Sequence, residues 1–288
     1  PISGSLSIVF PLVRTVFIVL ALLLVFPSLF YAQQATAASP TPAPTPTATP
    51  TPAKAAAKID VANMNADQIV ESTILVYGNL GGRVVLDQIR KTTFERGKMT
   101  AINAEGKLES ANYQKWIIRG PSLDKEKIRV DQEFPSVRYS LVQNGEKIFG
   151  LYNDSVFVPR EDVSKAFHDR IYRGLDGLLR YKENESKIEL GGKEKILGVD
   201  FFLIDVTDKS GQKTRYFVSQ KRFRIMALEY EIDGKKYQRK FYDYNYAQGT
   251  LVPFRTVLTL DGKVIEDTTV GTVTFGQKVD ETLFPSET

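Results

Sequence analysis

Residues 222–275 read RFRIMALEYEIDGKKYQRKFYDYNYAQGTLVPFRTVLTLDGKVIEDTTVGTVTF. Apolar and polar side chains alternate through most of this stretch. Asp-Gly pairs stand at Asp233-Gly234 and Asp261-Gly262. Alternation with a period of two puts one face of a strand into a core, and Asp-Gly supplies the positive-φ pair of a two-residue hairpin. The spacing predicts strands at Arg222–Ile232, Lys236–Tyr246, Phe254–Leu260 and Val264–Phe275. Consecutive hairpins make an antiparallel meander, which must bury one face by curling or by being covered.

The same reading extends toward the N-terminus. Strands are expected at Lys187–Leu190 leading into Lys193–Leu197, then at Phe201–Thr207 and Thr214–Val218. Further back they are expected at Thr92–Asn103, Tyr113–Arg119, Lys127–Phe134, Val137–Gln143 and Lys147–Tyr152. Turn signals such as Pro135-Ser136 and Asn144-Gly145 separate them. Helical periodicity appears twice. Ile69, Thr73 and Val76 share a face over Asn65–Tyr77, followed by a short helix over Gly82–Ile89 with Val85 and Ile89 inward. After Pro159, the residues Val163, Phe167, Ile171, Leu175 and Leu178 recur at spacings of four and three, with Gly174 and Gly177 as breaks. The fold class is mainly β (α+β), a curved antiparallel sheet with a few helices.

Residues 1–57 read differently. Arg14 precedes an uncharged, largely apolar run to Ala32, and Ala35-Thr36-Ala37-Ala38 follows. That pattern is a secretory signal with cleavage expected after Ala37, or an uncleaved anchor. Ser39–Pro52 alternates Pro with small residues, which favours an extended polyproline spacer of roughly 3.1 Å per residue. The organisation expected is therefore 1–38 signal peptide or signal anchor, 39–57 linker, and 58–288 one folded domain in the cell envelope.

The chain has 288 residues, a net charge of +4 and no cysteine. Arg14 and Lys54 lie outside the domain and no acidic residue does, so the domain carries 36 basic against 34 acidic residues. This near balance argues against a nucleic-acid binder. The lack of cysteine removes thiol catalysis, zinc–thiolate sites and a lipid-modified N-terminal cysteine. The single histidine, His168, lies beside the apolar face of a helix and reads as a surface or rim residue, so no metal site is expected. No nucleotide-binding loop or nucleophile elbow occurs, and no cofactor is implied. Asp205 and Glu229 read as outer-face strand carboxylates. The chain is read as a non-enzyme. Lys221, Arg222, Arg224, Lys235, Lys236, Arg239 and Lys240 surround the Asp233-Gly234 turn as a basic hairpin. It offers contact with anionic lipid, and its plainer reading is a solvated face.

The apolar positions define a concave face. Its members are expected to be Trp116, Ile118, Val130, Phe202, Ile204, Tyr216, Met226, Leu228, Tyr230, Tyr244 and Leu258. Helical residues Ile74, Phe167, Ile171 and Leu175 face it as a lid. Filled, this face is an ordinary core; left partly open, it is a ligand cavity. Alternation does not separate the two.

An ordered series of motifs resembles the LolA/LolB-like superfamily of outer-membrane lipoprotein-sorting proteins. Leu190–Val199 resembles its "G-x-E-x-(x)-G-V" opening. Phe241-Tyr242-Asp243-Tyr244 resembles its "dY" strand, and Gly249–Pro253 its "G-x-x-x-P" link. Asp280-Glu281-Thr282-Leu283-Phe284 resembles its closing "D-x-x-x-F". Tyr77–Ile89, with Leu86-Asp87-Gln88-Ile89, resembles its opening helix pair. The resemblance implies an incomplete barrel closed by helices over an apolar cavity. It also implies a carrier that shields acyl chains, each exposed CH₂ of which costs about 0.8 kcal/mol in water. The partners expected are a lipid or lipidated protein, with an envelope transport partner compatible with this role. The alternative is a tethered envelope interaction or sensor module with a closed core.

Overall fold

The computed structural model describes residues 63–285 except 104, 105 and 154. The expected signal segment and linker lie outside the described residues. Thirteen antiparallel strands form one sheet. The first meander runs β1 (Thr92–Ile102), β2 (Leu108–Ile118), β3 (Lys127–Glu133), β4 (Arg138–Asn144), β5 (Lys147–Tyr152) and β6 (Ser155–Phe157). The second runs β7 (Lys187–Ile196), β8 (Val199–Thr207), β9 (Lys213–Ser219), β10 (Ile225–Ile232), β11 (Lys235–Ala247), β12 (Thr250–Leu260) and β13 (Lys263–Phe275). Every strand pairs with its sequence neighbour except at one place, where β1 pairs with β13 and joins the two meanders. β6 and β7 are the two edges, so the sheet does not close into a barrel.

The long Asp-Gly hairpins account for much of this register. Asp233 and Asp261 take φ of 52° and 47°, and the following glycines take 72° and 81°. Both residues of each pair are thus in the left-handed region that this turn demands. The β1–β13 junction depends on a glycine for another reason. At Gly97 the register shifts, and a Cβ there would lie 2.1 Å from the Thr269 carbonyl oxygen. Gly97→Ala is expected to destabilise the domain by about 1–3 kcal/mol, since backbone must move to admit the methyl group. Urea unfolding of the variant measures this, and an unchanged midpoint would contradict it.

Four helices lie on the sheet: α1 (Ala66–Tyr77), α2 (Gly82–Ile89), α3 (Glu161–Tyr172) and α4 (Leu175–Leu179). Asn65 caps α1 in a reciprocal box. Its side chain accepts from the Gln68 amide at 2.9 Å, and its own amide donates to Gln68 Oε1 at 3.0 Å. α1 buries Ile69, Val70, Thr73, Ile74 and Tyr77. In α2 the buried residue is Leu86; Val85 and Ile89 are half-buried, one position from the expected face. The helix after Pro159 stops at Tyr172, as the glycine at 174 foretold, and resumes as α4.

The largest core cluster joins α1, α2 and α4 to β7–β12. Phe202, Ile204, Leu228 and Ile225 are fully buried in it, and Tyr216, Tyr230 and Ile74 belong to it as well. Tyr244 packs at its margin, where its hydroxyl pairs with that of Tyr77 at 2.8 Å. This half of the domain is the filled version of the concave face.

Two expected facings fail, at Met226 on β10, where Leu228 and Tyr230 keep the expected face, and at Trp116 and Ile118 on β2. Met226 lies on the other side of β10, with Phe201, Leu203 and Phe217. A bulge between Ile225 and Ala227 causes this, because the extra residue hands the inward position to Ile225. Trp116 and Ile118 also face away from the helices. They pack with Val142, Phe149, Leu151 and the C-terminal residues Leu283 and Phe284. β2 carries three consecutive large apolar residues here, Trp116-Ile117-Ile118, so alternation could not choose its inner face. The C-terminal motif explains what covers the outer one. The Asp280 side chain accepts from the Thr282 amide at 2.9 Å, and Phe284 is buried beyond that turn.

Candidate functional site

A cavity of about 260 Å³ lies between α3, the start of α4, and the strands around the β1–β13 junction. The apolar part of its lining comes from Met99, Ile117, Ile128, Val130, Phe241 and Phe275. On the helical side, Phe167, Ile171 and Leu175 line it. Phe167 and Ile171 are four residues apart and so share one helix face; Leu175 follows after the break at Gly174. Of the residues expected on the concave face, only Val130 lines this space, together with three of the four expected lid residues. Phe202, Ile204, Leu228, Tyr230, Tyr216 and Ile74 belong instead to the packed half. Leu258 is buried on β12 opposite Arg239 and Glu266, without bordering the cavity.

The cavity wall also carries charge. Arg170 pairs with Glu266 at 2.5 Å, and Arg119 with Asp176 at 3.2 Å. Arg90 lies 3.9 Å from Asp176. Lys115 pairs with Glu95 at 2.8 Å, and the Tyr113 hydroxyl donates to the same carboxylate at 2.8 Å. Arg239 is 4 % exposed and meets no carboxylate among the described residues. Its Nη1 donates to the Arg170 and Arg173 carbonyls at 3.1 and 2.8 Å, the last orphan acceptors of α3. Its Nε has no hydrogen-bond partner.

Burial and charge compete at the acids. Burial pushes the Asp176 carboxyl up, but Arg119, Arg90 and Arg180 outweigh it and hold the group below its ordinary value. Glu266 behaves likewise, with Arg170 and Arg239 outweighing burial. Glu126 goes the other way. Burial and the nearby Asp176 push it up to about 7, although Arg180 donates to it. A carboxyl raised on folding binds more protons in the native state than in the unfolded one. Its contribution to stability is therefore complete below about pH 4.5 and is lost as pH rises toward 7. Between about pH 5 and 8, the wild type is expected to lose on the order of 2–3 kcal/mol more than Glu126→Gln. Urea titrations of both proteins at the two pH values check this; parallel pH dependence would contradict it.

A second, open apolar groove of about 470 Å³ lies at the sheet edge, lined by Val137, Tyr139, Leu141, Tyr152, Phe157 and Val163 among others. Leu141, Tyr139 and Val163 belong to the same apolar cluster as Val130, Phe167 and Ile171. Groove and cavity thus share one wall, with buried Phe167 in it.

The remaining sequence candidates are dispersed. His168 is exposed and stacks on Tyr172 with centroids 4.0 Å apart. Asp205 is held by Arg215 at 2.7 and 2.8 Å, and Glu229 lies 3.1 Å from Lys236. The basic hairpin does not present one face: Arg239 points into the domain, Arg224 stacks on Tyr244, and Lys236 is paired. No group of three acidic or histidine side chains is placed to hold a metal among the described residues.

Sequence reasoning missed the charged wall. One signal was available. Arg239 has the same parity on β11 as Tyr237 and Phe241, which both pack inward.

No protein-family model matches the chain, and no curated protein matches it in sequence. Solved structures do match. A LolA superfamily protein from Nitrosomonas europaea aligns with a TM-score of 0.55 at 14% identity, covering 77% of this chain and 98% of its own. A DUF1329 family protein from Desulfovibrio piger aligns with a TM-score of 0.54 at 12% identity, covering 76% of this chain and 97% of its own. The motifs of residues 77–284 and these alignments agree: the domain has a LolA-like fold.

Proposed function

We propose that this protein is a non-enzymatic carrier or binder of lipid-like ligands in the cell envelope. One observation carries the reading: an apolar-lined cavity under α3 shares its wall with an open apolar groove at the sheet edge. An acyl chain lying along that wall is removed from water at about 0.8 kcal/mol per CH₂. The LolA-like fold and the export-type N-terminal sequence support the assignment. α3 serves as the lid: Phe167 and Ile171 line the cavity, and Val163 on the same helix lines the edge groove. The alternation of Pro with small residues over Ser39–Pro52 fits a spacer that keeps the domain close to its anchor or cleavage point.

The tethered interaction module keeps some support from the β7–β10 strands, whose concave face is largely packed under α1, α2 and α4. The test is titration of the full-length chain with the neutral probe N-phenylnaphthylamine. Saturable fluorescence enhancement, displaced by a fatty acid, is expected. No enhancement would favour the interaction module.

A further inference from the structure

The geometry points to a specific ligand class: the cavity takes a single-chain amphiphile whose anionic head sits between two arginine clusters. This rests on the proposed function and narrows it. Six side chains carry the argument, and all six line the cavity: Arg90, Arg119 and Asp176 in one cluster, Arg170, Arg239 and Glu266 in the other. Each cluster holds two guanidinium groups and one carboxylate. The second anion within reach of Arg119 is Asp87, which is half exposed, so water screens its charge.

The other charges on the wall cancel. Lys115 is matched by Glu95, and Glu126 by Arg180 behind it. With Arg180 and Asp87 counted beside the lining, six basic side chains face five carboxylates, so the wall is one negative charge short. Buried charges in native proteins are paired, because desolvation of an unpaired one is expensive. Arg239 shows the deficit most directly. It is almost wholly buried, it finds only backbone carbonyls, and its Nε is unpartnered. A carboxylate or phosphate entering the cavity would supply the missing charge, and guanidinium groups suit either.

Size sets the other half of the ligand. At roughly 30 Å³ per water-sized group, 260 Å³ has room for about nine such groups, one alkyl chain and not several. The apolar residues Ile128, Val130 and Phe167 provide the surface for that chain.

The experiment is competition on the full-length chain preloaded with N-phenylnaphthylamine. The competitors are decanoate, decyl phosphate, decanol and decyltrimethylammonium, below their micelle concentrations. Decanoate or decyl phosphate is expected to displace the probe at about tenfold or more lower concentration than decanol or the cation. The better of the two anions identifies the head group as carboxylate or phosphate. Arg239→Gln is expected to reduce this advantage to about threefold or less, and Arg239→Lys, which keeps the charge, to retain most of it. Equal displacement by decanol and decanoate overturns the inference and leaves the proposed function standing. So does an anion advantage unchanged in Arg239→Gln. Failure of the probe to bind at all overturns the proposed function, and this inference with it.

Discussion

Phe202→Ala is expected to cost about 3–5 kcal/mol of stability while leaving probe affinity within about twofold. Phe202 is fully buried among residues of β8–β10 and the helices, and its ring lies 6.1 Å from that of Phe223. Removing it leaves a hole in close-packed surroundings. The loss is a large share of the 5–15 kcal/mol that stabilises a typical domain. Phe202 does not border the cavity, so the folded fraction should bind as before. Urea unfolding and probe titration of the same sample separate the two effects. Lost affinity with a small stability change would move the ligand site into the β7–β11 half.

Val130→Trp is expected to do the reverse. Val130 points into the cavity from β3, beside Ile128 and Phe167. An indole in its place occupies space the alkyl chain needs, and affinity should fall by about tenfold or more. Overpacking costs about 1–3 kcal/mol, which the domain can absorb and still fold. Probe titration under conditions where unfolding curves show the variant native gives the answer. Unchanged affinity would mean that the ligand does not lie against β3.

These two substitutions contrast because the sequence shows one apolar face where the structure has two kinds. Strand positions were legible wherever a turn residue fixed them. The pairs at 233–234 and 261–262 set hairpins whose strands end within a few residues of expectation. The helix over residues 65–77 was legible from its cap and its apolar spacing. Facing was legible only where alternation was clean, as at Phe202, Ile204 and Val206. It failed at Trp116-Ile117-Ile118, where both faces are apolar, and at Met226, where one extra residue inverts the parity. The short edge strand β6 carried too few residues to register as a pattern.

The division into a packed half and a hollow half was not legible. It depends on how α1, α2 and the end of α4 fill the sheet at β7–β12 while α3 and the start of α4 span the junction side. The charged wall was hidden for a related reason. Arg170 and Arg239 belong to different elements, and Glu266 stands on a third, so only the tertiary fold brings them together. A polar residue at an inward strand position was the local clue, and Arg239 gave it.

The central claim is that an acyl chain occupies the space beneath α3. Photo-cross-linking with a diazirine-bearing fatty acid, followed by mass-spectrometric mapping of adducts, tests this most directly. Adducts concentrated on Ile128, Val130, Phe167 and Ile171, and suppressed by excess unlabelled fatty acid, are the predicted result. Adducts on Phe202, Leu228 or Tyr230 instead, or labelling that competitor does not suppress, would contradict it.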